Sequence, residues 1–416
     1  MKKQRRRAEK GITLVALVVT IIVLIILAGV TLNIVLDNDG IINKAKQAVG
    51  DYENSQKEEQ EMLGEIEEYI EYAGKTVPIP EGYTKSQITT EDDIVEGLVI
   101  YEIPEGAIVN WTDNEDSNGK NQSTITIGEN TTNLQETVNQ YVWIPVGEIN
   151  DMVMCESNTG ASRCNLVYDE KTDTLTCQTH SATATNLVGR LYISSDINTG
   201  NNIYSYTIDF TKKNQIYDES SYHEPNTISS DASNNITIDQ LKNDFVVMAK
   251  SVAKNGGFYI SRYEVGTNGD SKKNQKVLTT ASSDGDNYLG ADKWYGLYNT
   301  IRNIDKNKQM IWGCQYDQVI KFLKENGEDP EIGHTYIADS RALSGQNKQD
   351  CMKNMYDLEG NYREWTTEAY STNNRAHRGS SYDDVIHSLF FSVSNRNENL
   401  PTSDYGSGSS RSTLYL

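Results

Sequence analysis

The chain has 416 residues, with 38 Lys and Arg against 59 Asp and Glu, a formal net charge of −21. No basic excess is available to neutralise phosphates, which excludes nucleic acid as a partner and predicts a soluble, exposed surface. The length allows two or three domains with full cores, and abundant Asn, Ser, Thr, Gly and Tyr with only 7 Pro predict a turn-rich, strand-rich body.

Lys2, Lys3, Arg5, Arg6, Arg7 and Lys10 crowd residues 1–11, opposed by Glu9 alone, and no charge occurs from Ile12 to Leu36. At about 1.5 Å per residue, a helix over 12–36 crosses the hydrocarbon layer with some tilt. The basic cluster keeps its own side in the cytoplasm and puts the bulk of the chain outside a bacterial cell membrane, after a single pass. A secretory signal peptide fits poorly, because its apolar core is shorter and ends in a small-x-small site. Lys10-Gly11 set directly against the apolar run resembles the type III signal of type IV prepilins. That resemblance implies cutting between Gly11 and Ile12 by a prepilin peptidase, methylation of Ile12, and other pilins as partners. Pilins carry Glu at the fifth mature position, where this chain has Ala16. A plain signal anchor is the alternative.

Over residues 37–76 the apolar positions Ile41, Ala45, Ala48 and Tyr52, then Met62, Ile66, Tyr69 and Ala73, recur at helical spacing and predict an amphipathic stalk. A coiled-coil stalk reads equally well. Gly74, Pro78 and Pro80 end it. Residues 77–140 hold short β-rich runs, Gly97–Tyr101 and Ser123–Ile127, between polar turns, and read as a β-rich linker or small β segment. Tyr141–Gly147 reads as a strand, and Gly256–Gly266 alternates as a half-buried strand does. Between them lies a polar insertion, 151–235. A helix follows, capped by Asp239, with Leu241, Phe245, Met248 and Val252 on its buried face. Ala291–Ile304 and Tyr316–Leu323 read as two further helices, the second stopped by Gly327.

The last third carries Asp357-Leu358-Glu359-Gly360-Asn361-Tyr362-Arg363-Glu364-Trp365, then Arg378-Gly379-Ser380-Ser381-Tyr382, then a closing segment through Arg411. In this order the segments resemble the formylglycine-generating enzyme (sulfatase-modifying factor) family. Asn361, Glu364 and Trp365 match its Gly-Asn-x-x-Glu-Trp box. Arg378, Gly379 and Ser381 match its Arg-Gly-Gly-Ser motif, with Ser380 in place of a Gly. Arg411 matches the final strand, where Ser410 replaces an aromatic. The resemblance covers 141–416 apart from the insertion. It implies an α+β fold class, with the N-terminal transmembrane and stalk helix followed by a C-type-lectin-like domain. It also implies a structural Ca²⁺ held by the Asp357 side chain, the Gly360 and Tyr362 carbonyls and Glu364, all hard oxygen donors. The alternative is that these carboxylates are solvated and Trp365 holds the box by packing.

The family's oxidases bind copper through two cysteines just after the Arg-Gly-Gly-Ser motif, and here no cysteine follows Cys351. Related members use clustered histidines, whereas His180, His223, His334, His377 and His387 are scattered. The chain therefore reads as non-catalytic. Cys155, Cys164 and Cys177 before His180 fit no zinc spacing and read, outside the cell, as the source of a disulfide. Cys314 beside Trp312 reads as a buried small hydrophobe.

The function these features predict is a surface-exposed binding protein, a pilin-like anchored adhesin or minor pilin with a lectin-like head. An unidentified extracellular protein, glycan or host surface is its ligand. Recognition falls on the loops between Thr366 and Ser410, first through Tyr370, Asn373, Arg375, His377 and Tyr382. Asp383, Asn395, Arg396, Asn399 and Tyr405 complete the set, since such side chains offer adaptable hydrogen bonds and flat contacts. A membrane-tethered enzyme of the same family and a structural pseudopilin are the alternatives. Intact-mass and N-terminal analysis of the native protein should find Ile12 as a methylated first residue. A retained Met1 on the exposed protein would mean a plain anchor.

Overall fold

The computed structural model describes residues 20–21, 77–117, 119–157, 160–162, 166–177, 187–189, 236, 238–329, 341–369, 374–382, 393 and 396–416. The chain divides into two units, Met1–Gly74 and Lys75–Leu416. Of the first, only Thr20 and Ile21 are described, both helical. The leader, the span over 12–36 and the stalk over 37–76 otherwise lie outside the described residues. No helix among the described residues is long and apolar enough to cross a membrane.

The second unit is mixed α+β, with more strands than helices. Ten strands make its two principal sheets: β1 (Tyr83–Lys85), β2 (Val99–Glu102), β3 (Gln140–Pro145), β4 (Gly257–Ser261), β5 (Lys308–Met310), β6 (Arg363–Ala369), β7 (Arg375–Arg378), β8 (Arg396–Asn399), β9 (Gly408–Ser410) and β10 (Ser412–Leu414). The larger sheet runs β1-β2-β3-β4-β10-β5, antiparallel throughout. The smaller runs β8-β7-β6-β9, with β6 and β9 parallel. Three long helices accompany them: α1 (Ile238–Asn255), α2 (Lys293–Ile304) and α3 (Gly313–Glu325).

Side chains alternate across a strand, so the large sheet has two faces to cover. On one, Val99, Tyr101, Val142, Ile144, Phe258 and Ile260 belong to a single core with Leu241, Phe245, Met248 and Val252 of α1 and Tyr316, Val319, Phe322 and Leu323 of α3. On the other, Leu98, Ile100, Tyr141, Trp143, Tyr259 and Leu414 cluster, with Val77, Tyr83 and Ile94 packed against them. The strand expected to be half-buried, β4, is therefore buried at every position. The covering of the second face comes from residues upstream of 99, which pattern on β4 alone cannot reveal.

The helices fall where their apolar spacing places them, but Asp239 lies inside the first turn of α1 rather than at its cap. Residues 77–140 are more than a linker. They supply β1 and β2 to the large sheet, and 108–110, 124–127 and 130–133 form a three-stranded sheet of their own. Within the insertion, Leu166 and Leu175 of a short antiparallel pair reach the main core.

Residues from both ends of the unit are locked together around Gly97. The Asn354 side-chain amide donates to the carbonyls of Thr90, Glu96 and Gly97 at 2.7, 2.9 and 3.0 Å. Gly97 has φ +86°, and a Cβ there would lie 2.1 Å from the Lys353 carbonyl oxygen. Gly97→Ala should therefore lower unfolding free energy by about 2–4 kcal/mol, through a left-handed conformation and a backbone clash together. Denaturant titration reads this directly, and a change under about 0.5 kcal/mol would show that the loop yields freely.

Candidate functional site

The Gly-Asn-x-x-Glu-Trp segment is held by its neighbours on every side. Asp357 and Asn361 both have positive φ, 60° and 59°. Asn361 Nδ2 donates to Glu264 Oε2 at 2.6 Å, and its Oδ1 accepts from the Ala342 amide at 3.0 Å. The Tyr362 amide donates to Glu264 Oε1 at 3.0 Å. The Ser380 and Tyr382 amides donate to the Glu359 and Asn361 carbonyls, each at 3.0 Å, so the Arg378–Tyr382 motif is knitted to the box. Gly379 is required there, since a Cβ at φ +70° would sit 2.6 Å from the Leu358 carbonyl oxygen. Trp365 is fully buried, with its indole N–H on Thr280 Oγ1 at 3.2 Å.

Five carboxylates are buried in and around this segment: Glu264, Asp350, Asp357, Glu359 and Glu364. Glu364 Oε1 accepts from Arg411 Nε at 2.5 Å, while its Oε2 has no partner. Asp357 Oδ2 accepts from the Gly345 amide at 2.6 Å, and Asp350 Oδ2 from the Gly360 amide at 2.9 Å. Burial, and then the Asp357 and Glu364 charges, hold Glu264 well above the usual carboxylate range. Burial, then Asp357, does the same to Asp350. Burial pushes Glu364 up to about 7 against the pull of Arg411, and Asp357 up to about 6.

As placed, the donor set Asp357, Gly360, Tyr362 and Glu364 does not fit a calcium ion. The Arg411 guanidinium is already the cation on Glu364 Oε1 and the Gly345 amide occupies Asp357 Oδ2, whereas calcium needs six to eight oxygen donors turned towards it. No group of three or more His, Cys, Asp or Glu among the described residues is disposed to hold a metal. The described free thiols, Cys314 and Cys351, are held protonated by burial, Cys351 near 11.

The residues expected to bind a ligand separate into three groups. Tyr370, Asn373, Asp383 and Asn395 lie outside the described residues, as do the side chains of Cys155, Cys164, Cys177 and His180. Arg375 and His377 are buried, against the expectation that they face a ligand. Arg375 lies over the Trp294 ring at 4.9 Å and donates to the Thr367 carbonyl at 3.4 Å. His377 sits edge-on to Trp365 and stacked on Tyr405. All four residues of β7 are buried, because the strand lies between β6 and β8 in a sheet covered on both faces there. Arg396 is tied to Glu368, which also meets Arg378 beside Asp317, and Asn399 Oδ1 accepts from Ser403 Oγ at 2.8 Å.

Tyr382 and Tyr405 remain half-exposed, and the structure adds Tyr288, Arg341 and Arg363 to them. The Arg341 guanidinium lies 4.3 Å from the Tyr288 ring centroid and 5.0 Å from that of Tyr382, with Nε donating to the Tyr382 hydroxyl at 2.7 Å. Arg363 lies over the Tyr405 ring at 5.8 Å and donates to its hydroxyl. A Cβ on Gly406 would lie 3.0 Å from Arg341 Nη2, so the two groups adjoin. Five separate segments thus meet in one tyrosine–arginine face. Arg363 sits inside a recognised motif, but nothing in the sequence joins Tyr288 or Arg341 to it.

No protein-family model matches the chain, and no curated protein matches it in sequence. Among solved structures, PvdO from Pseudomonas aeruginosa is similar at 13 % identity and TM-score 0.29, over 39 % of this chain and 82 % of that one. CarF follows at 12 % and 0.28, over 38 % and 87 %. A protein described as Major Tropism Determinant U1 Variant has 11 % identity and TM-score 0.25, over 70 % and 68 %.

Burial, and then the Arg363 charge, lower His377 from 6.5 to about 3. A base depressed in the folded state contributes stability above its unfolded value, and that contribution is lost as pH falls from 6.5 towards 3. The stability of the wild type relative to His377→Gln should therefore decline below pH 6.5, approaching roughly 1.4 kcal/mol per pH unit. Urea unfolding of both proteins between pH 4.5 and 8 tests this, and a pH-independent difference would show an unshifted histidine.

Proposed function

We propose that the Lys75–Leu416 unit is a non-catalytic recognition head and that the chain is a surface-exposed binding protein, a pilin-like anchored adhesin or minor pilin. The observation that carries this reading is the half-exposed face of Tyr288, Arg341, Tyr382, Arg363 and Tyr405. Tyr and Arg supply most of the binding energy at protein surfaces. Their usual cost is the rotamer freedom lost on binding. Here stacking and hydrogen bonds have already fixed the side chains, and a covered sheet holds the segments that bear them. In this reading the basic leader and the charge-free run to Leu36 place the head outside a bacterial membrane, and a prepilin peptidase and other pilins act on the N-terminal segment.

A double variant, Tyr382→Ala with Tyr405→Ala, should weaken binding of the full chain to host-cell surfaces and glycan arrays about tenfold or more. Its melting temperature, taken in parallel, separates a lost contact from a lost fold. Undiminished binding would move the site to the 151–235 insertion.

A further inference from the structure

Arg341 stands apart in this molecule. The chain carries 59 acidic side chains, and three buried arginines of the unit are paired with them: Arg262 with Glu91, Arg378 with Asp317, Arg411 with Glu364. Arg341 is half-exposed and forms no ion pair among the described residues; its side-chain partners there are the two tyrosines. Asp404, next to Tyr405, is turned away onto Ser282, accepting from its amide at 3.0 Å and its hydroxyl at 2.5 Å. The Arg341 carbonyl accepts from Asn287 Nδ2 at 2.8 Å, which fixes the main chain behind the guanidinium. The head of the side chain is clamped between two rings, with Nε engaged and Gly406 leaving room beside Nη2. A positive fork is therefore held ready at the surface, with no carboxylate on it among the described residues.

We propose that Arg341 is the charge anchor of this face and takes a single carboxylate on an otherwise neutral ring-bearing ligand, a glycan unit ending in a sugar acid. The planar guanidinium matches a carboxylate in two parallel hydrogen bonds. The net charge of −21 repels a polyanion, so the anion is a lone group rather than a run of phosphates or acidic residues. The tyrosines present flat apolar surface with polar tips, which suits a pyranose ring and its hydroxyls. A peptide C-terminus, the other common lone carboxylate, is captured by nests of backbone amides, and here the donor is a side chain. The inference rests on the recognition-face reading above and deepens it.

The test uses the full chain in mild detergent, titrated with N-acetylneuraminic acid and glucuronic acid and with the methyl ester of each, binding being read by ligand-observed NMR. The acids should bind about tenfold or more tightly than their esters. Arg341→Gln should abolish that preference, and Arg341→Lys should retain part of it, with melting temperatures near that of the wild type. Equal binding of acid and ester, no binding of either acid, or an undiminished preference in Arg341→Gln would overturn the proposal. Preference for a peptide with a free C-terminus over both sugar acids would overturn the assignment to a glycan. If the carboxylate preference fails while Tyr382→Ala still abolishes cell-surface binding, the face stands and only its anchor falls. If neither variant changes binding, the face itself is misplaced.

Discussion

The interaction on which the two sheets depend is the Arg411 guanidinium. Arg411 is the single residue between β9 and β10, where the chain leaves the small sheet for the large one. Its side chain runs back between them and donates to Glu364 in β6, to the carbonyls of Ser261 and Arg262 at the end of β4, and to that of Tyr356. Carbonyls and one carboxylate oxygen from three separate segments, all buried, thereby accept from one group with five N–H donors. A buried charge is tolerated only when its hydrogen bonds are complete, and loss of one partner leaves the other stranded at about 3–5 kcal/mol. That cost fixes the relative register of the sheets, and so the positions of β6 and the segments that follow it.

The surrounding carboxylates follow from the same constraint. Glu264, Asp357 and Glu364 share one guanidinium in a volume that excludes water, so all three cannot be ionised together. Motif residues Asn361, Glu364, Arg378 and Gly379 do their work within the fold: capping Glu264, holding Arg411, bridging Asp317 to Glu368, and clearing the Leu358 carbonyl. Such residues speak for architecture, while function belongs to what is grafted on it.

The tyrosine–arginine face is assembled from separate segments. Its members come from β6, from the loops after β7 and before β9, and from the segments around 288 and 341, and each is held by a neighbour rather than by its own backbone. His377 and Trp365 lie beneath Tyr405 as a packed aromatic floor. Rigidity at this surface therefore derives from the same small sheet that Arg411 holds in place.

Local pattern was enough for the three long helices, because apolar spacing at 3.6 residues is a property of neighbours in sequence. It was enough for β2, β3 and β4. The box from Asp357 to Trp365 and the Arg378–Tyr382 motif were legible because each is a short run of adjacent residues, although distant Glu264, Ala342 and Thr280 hold the box in place. The burial of β4 on both faces, the inward turn of Arg375 and His377, and the pairing of Glu364 with Arg411 depend on which distant segment covers which face. Tyr288 and Arg341 join Tyr382 only through tertiary packing, across 94 and 41 positions. Pattern reports what a segment does to its own backbone; contact between segments so far apart is decided by the shape of the core between them, and that is why the tyrosine–arginine face belonged to the structure alone.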